Sequence, residues 1–145
     1  MSETVEEATI QGRRYLNPPL RALSNLHDEL LAEHGGAPGL HDAGALESSL
    51  ARPYQLIAYG DDTLTIFDLA AALCASICRN HPFVDGNKRA AFVALGVTLG
   101  LNGFELDATE REAADKILAL AAGTLPEEEF RDWVADHSYA IEGDA

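Results

Sequence analysis

His81, Asp85, Asn87, Lys88 and Arg89 crowd into HPFVDGNKR, residues 81–89, within a chain that otherwise runs acidic and apolar. Histidine titrates near neutrality and is the usual acceptor of a hydroxyl proton. One carboxylate, Asp85, is what a phosphate-bound Mg2+ ordinarily takes from protein. The apolar pattern that resumes at Asn87 predicts a helix starting there, with unpaired N–H groups and a positive dipole end that attract an anion. Gly86 lets the backbone approach that anion closely. Asn87 adds an amide donor, and Lys88 and Arg89 add full charges, the guanidinium able to grip phosphate oxygens bidentately. Base, metal ligand and phosphate cradle together imply transfer of a phosphorus-containing group to a hydroxyl. The plainer alternative is a corner, with His81-Pro82 stopping one helix and Asp85-Gly86-Asn87 turning and capping the next. Any one of these residues alone is more often structural; the ordered set favours the chemical reading. Phe83 reads as the core anchor of the loop, and Pro82 and Val84 as structural.

Two apolar helices must hold this corner. Upstream, Thr65 and Asp68 have the spacing of a capping box before a strongly apolar helix that runs to about Arg79 and belongs at the centre. Downstream, the helix from Asn87 closes at Asn102-Gly103, and FEL follows as an extended segment. Asn17-Pro18-Pro19 starts a helix whose leucines keep helical spacing as far as His34-Gly35-Gly36. Asp42 caps a short helix through Leu50 that is expected to stop near Arg52, because Pro53 follows. Residues 53–63 then read as a short hairpin or irregular loop. Thr109 with Glu112, and Thr124 with Glu127, predict capping boxes for two further helices ending near Gly123 and His137. The sum is an all-α bundle of about six helices in one domain, residues 1–145, with 1–14 a polar, mobile lead-in.

Composition narrows the partners. With 24 acids against 10 bases the net charge is −14, which repels nucleic acid and anionic membrane. Neither is expected as a direct partner. No apolar run is long enough to span a bilayer, and the acidic MSETVEEATI is no signal peptide, so a cytoplasmic location is expected. Cys74 and Cys78 lie four apart in LAAALCASIC, without partners at a zinc-site spacing, and read as two small core residues. His27, on an otherwise apolar helix, reads as a hydrogen-bonded core or rim residue rather than a ligand.

HPFVDGNKR resembles the signature of the Fic/Doc family, and within it the Doc (death-on-curing) branch. The common Fic pattern has glycine where this chain has Lys88 and a second arginine where it has Phe92; both departures are typical of Doc-like toxins. The resemblance extends upstream through LHDELLAEHGGAPGLHDAGALESSLARP, residues 26–53, and downstream to LGLNGFEL. It implies an α-helical fold and the toxin of a type II toxin–antitoxin system. Most Fic members transfer AMP from ATP to target hydroxyls. Doc-type members hold ATP the other way round and transfer the γ-phosphate to a threonine of elongation factor Tu, which stops translation.

Carried over by position, His81 is the base, Asp85 ligates Mg2+, Gly86 and Asn87 build the anion nest, and Lys88 and Arg89 hold phosphate and stabilise charge. A bulky cation at Lys88 and an aromatic ring at Phe92 remove one phosphate grip and fill space, which favours moving a phosphate over moving a nucleotide. AMP transfer and a catalytically silent nucleotide-binding protein are the alternatives. A family-type flap that aligns the target as an added strand is expected in residues 53–63, with Arg52 and Tyr54 at its start. The other reading of Arg52 is a solvated charge at a helix end. Ser138, Glu142 and Gly143 fit the short pattern of the inhibitory helix some Fic proteins carry. That glutamate works by pairing with the second arginine, here Phe92, so the match reads as coincidence, and inhibition is expected from a separate cognate antitoxin.

Overall fold

The structure is a computed structural model and describes residues 8–141. Six helices dominate it: α1 (Leu20–His34), α2 (Ala43–Tyr59), α3 (Ile66–Asn80), α4 (Asn87–Leu101), α5 (Glu110–Ala122) and α6 (Glu127–Asp136). Two antiparallel strand pairs complete it: β1 (Thr9–Ile10) with β2 (Arg13–Arg14), and β3 (Phe104–Leu106) with β4 (Ser138–Ala140). The all-α expectation holds, and among the described residues no helix is long and apolar enough to cross a membrane.

α3 is the axis of the bundle. It is buried without a break from Leu69 to Cys78, and α2, α4, α5 and α6 all pack against it. Its alanines make this possible, since small side chains let several neighbours approach one helix. α4 lies antiparallel beside it, burying Ala90, Ala91, Ala94, Leu95 and Leu99. Both expected capping boxes at α3 and α5 are closed, with Thr65 and Asp68, and Thr109 and Glu112, satisfying each other's backbone N–H groups.

Three expectations need correction. α2 does not stop before Pro53 but runs through it to Tyr59, so most of 53–63 is helix and holds no hairpin. An internal proline costs about 3 kcal/mol. The cost is offset because Pro53 is buried, and Tyr54, Leu56 and Ile57 beyond it pack on a second apolar cluster of Ala8, Ile10, Tyr15 and Leu69. The second correction concerns α6, whose start has no side-chain cap. Thr124 instead donates its hydroxyl to Ala119, and Glu127 is engaged by arginines. Third, residues 8–14 of the lead-in form a tight hairpin turned at Gln11-Gly12, both at positive φ. Its Ile10 is buried in the second cluster; residues 1–7 lie outside the described residues. The segment that begins the inhibitory-helix pattern is a strand, Ser138–Ala140, in keeping with the reading of that match as coincidence; Glu142 and Gly143 lie outside the described residues.

Candidate functional site

The corner between α3 and α4 is built from two residues in the left-handed region. His81 ends α3 at φ 48°, ψ 57°, and Gly86 starts α4 at φ 76°, ψ 24°. A non-glycine residue held there is strained, and such strain collects at functional sites. Between them Phe83 is buried and anchors the loop, as its type suggested, while His81, Val84 and Asp85 are exposed. Residues 39–42 of the glycine-rich α1–α2 loop brace the outside. Val84 N–H donates to the Gly39 carbonyl, His41 and Asp42 N–H donate to that of Pro82, and Leu40 bridges Phe83 in antiparallel fashion. Gly36 passes so close that a Cβ there would meet the Asp85 carboxylate at 3.1 Å.

Asn87 ties the corner together. Its Oδ1 accepts the Phe83 N–H at 2.9 Å, and its Nδ2 donates to the Phe83 carbonyl at 2.9 Å. These two bonds fix the amide orientation, so the remaining Nδ2 proton faces His81 Nδ1 at 3.2 Å. The expected amide donor for an anion is therefore spent on the loop and on orienting His81. What Asn87 offers an anion is its backbone N–H. A neutral ring that accepts at Nδ1 carries its proton on Nε2. Proton uptake at the outer nitrogen thus means giving up this long, weak contact.

The start of α4 is left open. No side chain caps it, its first turn holds no acid, and Lys88 and Arg89 project from it, exposed. Among the described residues the backbone N–H groups of Asn87, Lys88 and Arg89 make no hydrogen bond; the first satisfied one is Ala90, on the Gly86 carbonyl. Three orphan donors, a left-handed glycine and two cations make an anion nest. Asp85 stands beside it, with Oδ1 accepting the Gly86 N–H at 2.9 Å and Oδ2 only a long contact to Ala37 N–H at 3.4 Å. No group of three or more His, Cys, Asp or Glu among the described residues could hold a metal ion. One carboxylate beside a phosphate nest fits Mg2+, which takes its other ligands from phosphate and water.

Lys88 and Arg89 also border a groove of about 530 Å3 between α1, α4 and α5. Its apolar walls are Leu30, Phe92, Val93 and Leu118. Phe92 packs on the core and fills one side of it, as its bulk predicts. A groove of similar size, about 570 Å3, lies at the far end of α3 and α4 and contains no residue of the corner.

The residues expected to dock a target do not join this site. Arg52 grips Glu127 with both terminal nitrogens, at 2.7 and 2.9 Å, and Arg79 reaches the same carboxylate at 3.0 Å. Arg52 is thus neither a solvated helix end nor an open anchor; it clamps α2 to α6. Tyr54 lies half-buried, edge-on to Tyr15.

His27 stands as read, a hydrogen-bonded core residue, and it lies directly beneath the corner, four residues after Leu23 on α1's buried stripe. Sequence reasoning underrated two further residues. Leu40 is exposed beside the loop with its own N–H and C=O unpaired among the described residues. Glu127 had been assigned to a cap. Cys74 and Cys78 are buried free thiols, as read. Burial pushes the Cys74 thiol up, while the Cys74 hydrogen bond and the charges of Lys88 and Arg79 draw Cys78 down.

Residues 15–99 match the model of the Fic/DOC family. Toxin Doc of Mycolicibacterium smegmatis is 45% identical over 75 residues, 51% of this chain and 57% of that protein. Protein kinase doc of Escherichia phage P1 is 31% identical over 112 residues, 77% of this chain and 86% of that one.

Proposed function

Because the chain belongs to the Fic/DOC family, we propose that it is a Doc-type toxin, an ATP-dependent protein kinase that transfers the γ-phosphoryl group of ATP to a serine or threonine hydroxyl. By family resemblance the target is a threonine of elongation factor Tu, the consequence arrest of translation, and the setting the cytoplasm, with a cognate antitoxin holding the protein in check. One observation carries the reading. The start of α4 offers three free N–H groups and two cations to phosphate, with the Asp85 carboxylate on the Gly86 N–H and the His81 ring against the Asn87 amide.

The residues divide the work as follows. The α4 start, Lys88 and Arg89 bind and orient the transferring phosphate and stabilise its developing charge. Asp85 holds Mg2+, which when bound neutralises phosphate charge. His81 accepts the target hydroxyl's proton at its outer ring nitrogen as the oxygen bonds to the γ-phosphorus; the bond to the bridging oxygen breaks and ADP leaves. Asn87 orients the ring through Nδ1 before transfer, and that contact is released as the ring takes the tautomer whose outer nitrogen is the base.

The target's extended segment is best received by the Leu40 strip. Gly39 C=O and His41 N–H face the catalytic loop, so the N–H and C=O of Leu40 face outward as an open strand edge. The 41% exposed Leu40 and the 51% exposed Val84 lie beside it as apolar footholds.

Lys88 and Phe92 favour phosphoryl over nucleotidyl transfer, and the name of the phage relative supports the same choice. Incubation with elongation factor Tu and ATP labelled at the α or the γ position tests it. Label from the γ position alone is expected on the target. Label from the α position would show AMP transfer instead, and no label on any protein, with no growth arrest on expression, would leave a silent binding protein.

A further inference from the structure

α1 buries two residues against the bundle, Leu23 and His27. His27 is only 2% exposed, and its ring lies flat on Phe83 with centroids 3.8 Å apart. Its Nε2 is 2.7 Å from the backbone carbonyl of Asp85. With a carbonyl as partner, that nitrogen is the donor. The same ring sits under Gly86, where a Cβ would meet Nε2 at 3.4 Å.

The Asp85 carbonyl has a second natural claimant. In an α-helix each N–H bonds the carbonyl four residues back, so Arg89 N–H would take Asp85 if α4 began earlier. That bond is not formed among the described residues, and the carbonyl is engaged by His27 instead.

We propose that His27 is a positioning residue of the active site. By occupying the Asp85 carbonyl it fixes where α4 starts, and thereby leaves the N–H groups of Asn87, Lys88 and Arg89 free for phosphate beside the Asp85 carboxylate. The role rests on the phosphate-transfer reading of this corner. It gives a role to an imidazole that is 2% exposed and hydrogen-bonds the backbone of the corner.

Two substitutions separate the donor from the bulk. Glutamine places its amide nitrogen at the same bond distance from Cα as histidine Nε2; asparagine stops one bond short. Two measurements on the full chain apply to His27→Gln, His27→Asn and wild type. One is amide hydrogen exchange at Asn87, Lys88 and Arg89 without nucleotide. The other is calorimetric titration with the Mg2+ complex of the non-hydrolysable β,γ-imido analogue of ATP. In His27→Asn the freed Asp85 carbonyl should be taken by Arg89 N–H, slowing its exchange by ~10-fold or more and weakening the analogue by ~10-fold. His27→Gln should match wild type in both. General loosening of the fold would instead speed exchange at all three amides. Asparagine and glutamine variants that behave alike, or an Arg89 amide that does not slow in His27→Asn, would overturn the proposal. If His27→Asn does not fold, His27→Gln decides alone, since a slowed Arg89 amide there sinks the idea and an open one supports it. If wild type fails to bind the analogue, the phosphate-transfer reading falls, while Arg89 exchange still tests what His27 does to α4.

Discussion

α3 and α5 begin with closed capping boxes and an acid in the first turn; α4, between them in sequence, begins with neither. In the first two, Thr65 with Asp68 and Thr109 with Glu112 satisfy the N-terminal N–H groups, and the acids complement the dipole. In α4 the start is a left-handed glycine, the N–H groups stay open, and Lys88 and Arg89 sit where the dipole disfavours them. The same element end is thus solved twice for stability and once at a cost in stability. The difference leaves α4's start without the negative charge that the starts of α3 and α5 carry.

The comparison can be broken in several ways. The largest effect is expected from His81→Ala, which should lower phosphoryl transfer by ~10²–10⁴-fold and abolish growth arrest. Because His81 is exposed, the melting temperature should barely move, and equal toxicity of the variant would defeat the catalytic assignment. Next, Lys88→Gly with Phe92→Arg restores a slim residue and a deep phosphate grip. Labelled ATP should then deliver label from the α position, and an unchanged product would count against the orientation argument.

Lys88→Glu gives α4 the acid that α3 and α5 have. It should weaken binding of the Mg2+–ATP complex by ~10–100-fold, the worth of a charge-assisted hydrogen bond, while urea unfolding shows a gain of about 0.3–1 kcal/mol from the dipole. Parallel losses in both would mean that the α4 start is an ordinary helix end. The converse changes, Thr65→Ala and Thr109→Ala, should each cost about 1 kcal/mol of stability and leave ATP binding untouched.

The smallest effect is a thiol titration. Cys78 is drawn down by its hydrogen bond from Cys74 and by Lys88 and Arg79, so its thiolate forms below the usual cysteine range. Burial holds Cys74 above it. Both thiols are buried, so alkylation by a small reagent should wait on local opening at each, with Cys78 reacting ahead of Cys74 as the pH rises. In Lys88→Glu the onset at Cys78 should move upward; no movement would place the Lys88 charge away from α3.

Local rules carried far along this chain. The capping boxes of α3 and α5, the end of α1 near the Gly35-Gly36 pair and the αL stop at Gly123 depend on neighbours in sequence, and each stands as the residues predict. The rules failed where a distant contact outweighed them. Pro53 stays within α2 because the residues after it bury apolar surface against the N-terminal hairpin. Glu127 leaves its cap for Arg52 and Arg79, far apart from it in sequence. Asn87 turns its amide inward because Phe83 offers it a donor and an acceptor together.

By itself the sequence determined which side chains gather at the corner, since His81, Asp85, Gly86, Lys88 and Arg89 lie in one short run whose order alone sets a loop followed by a helix start. Only the tertiary structure decided how that start is kept open and what flanks it. His27 comes from α1 and the Leu40 strip from the following loop, and both meet the corner through hydrogen bonds to its backbone, which every residue type carries and no sequence pattern distinguishes.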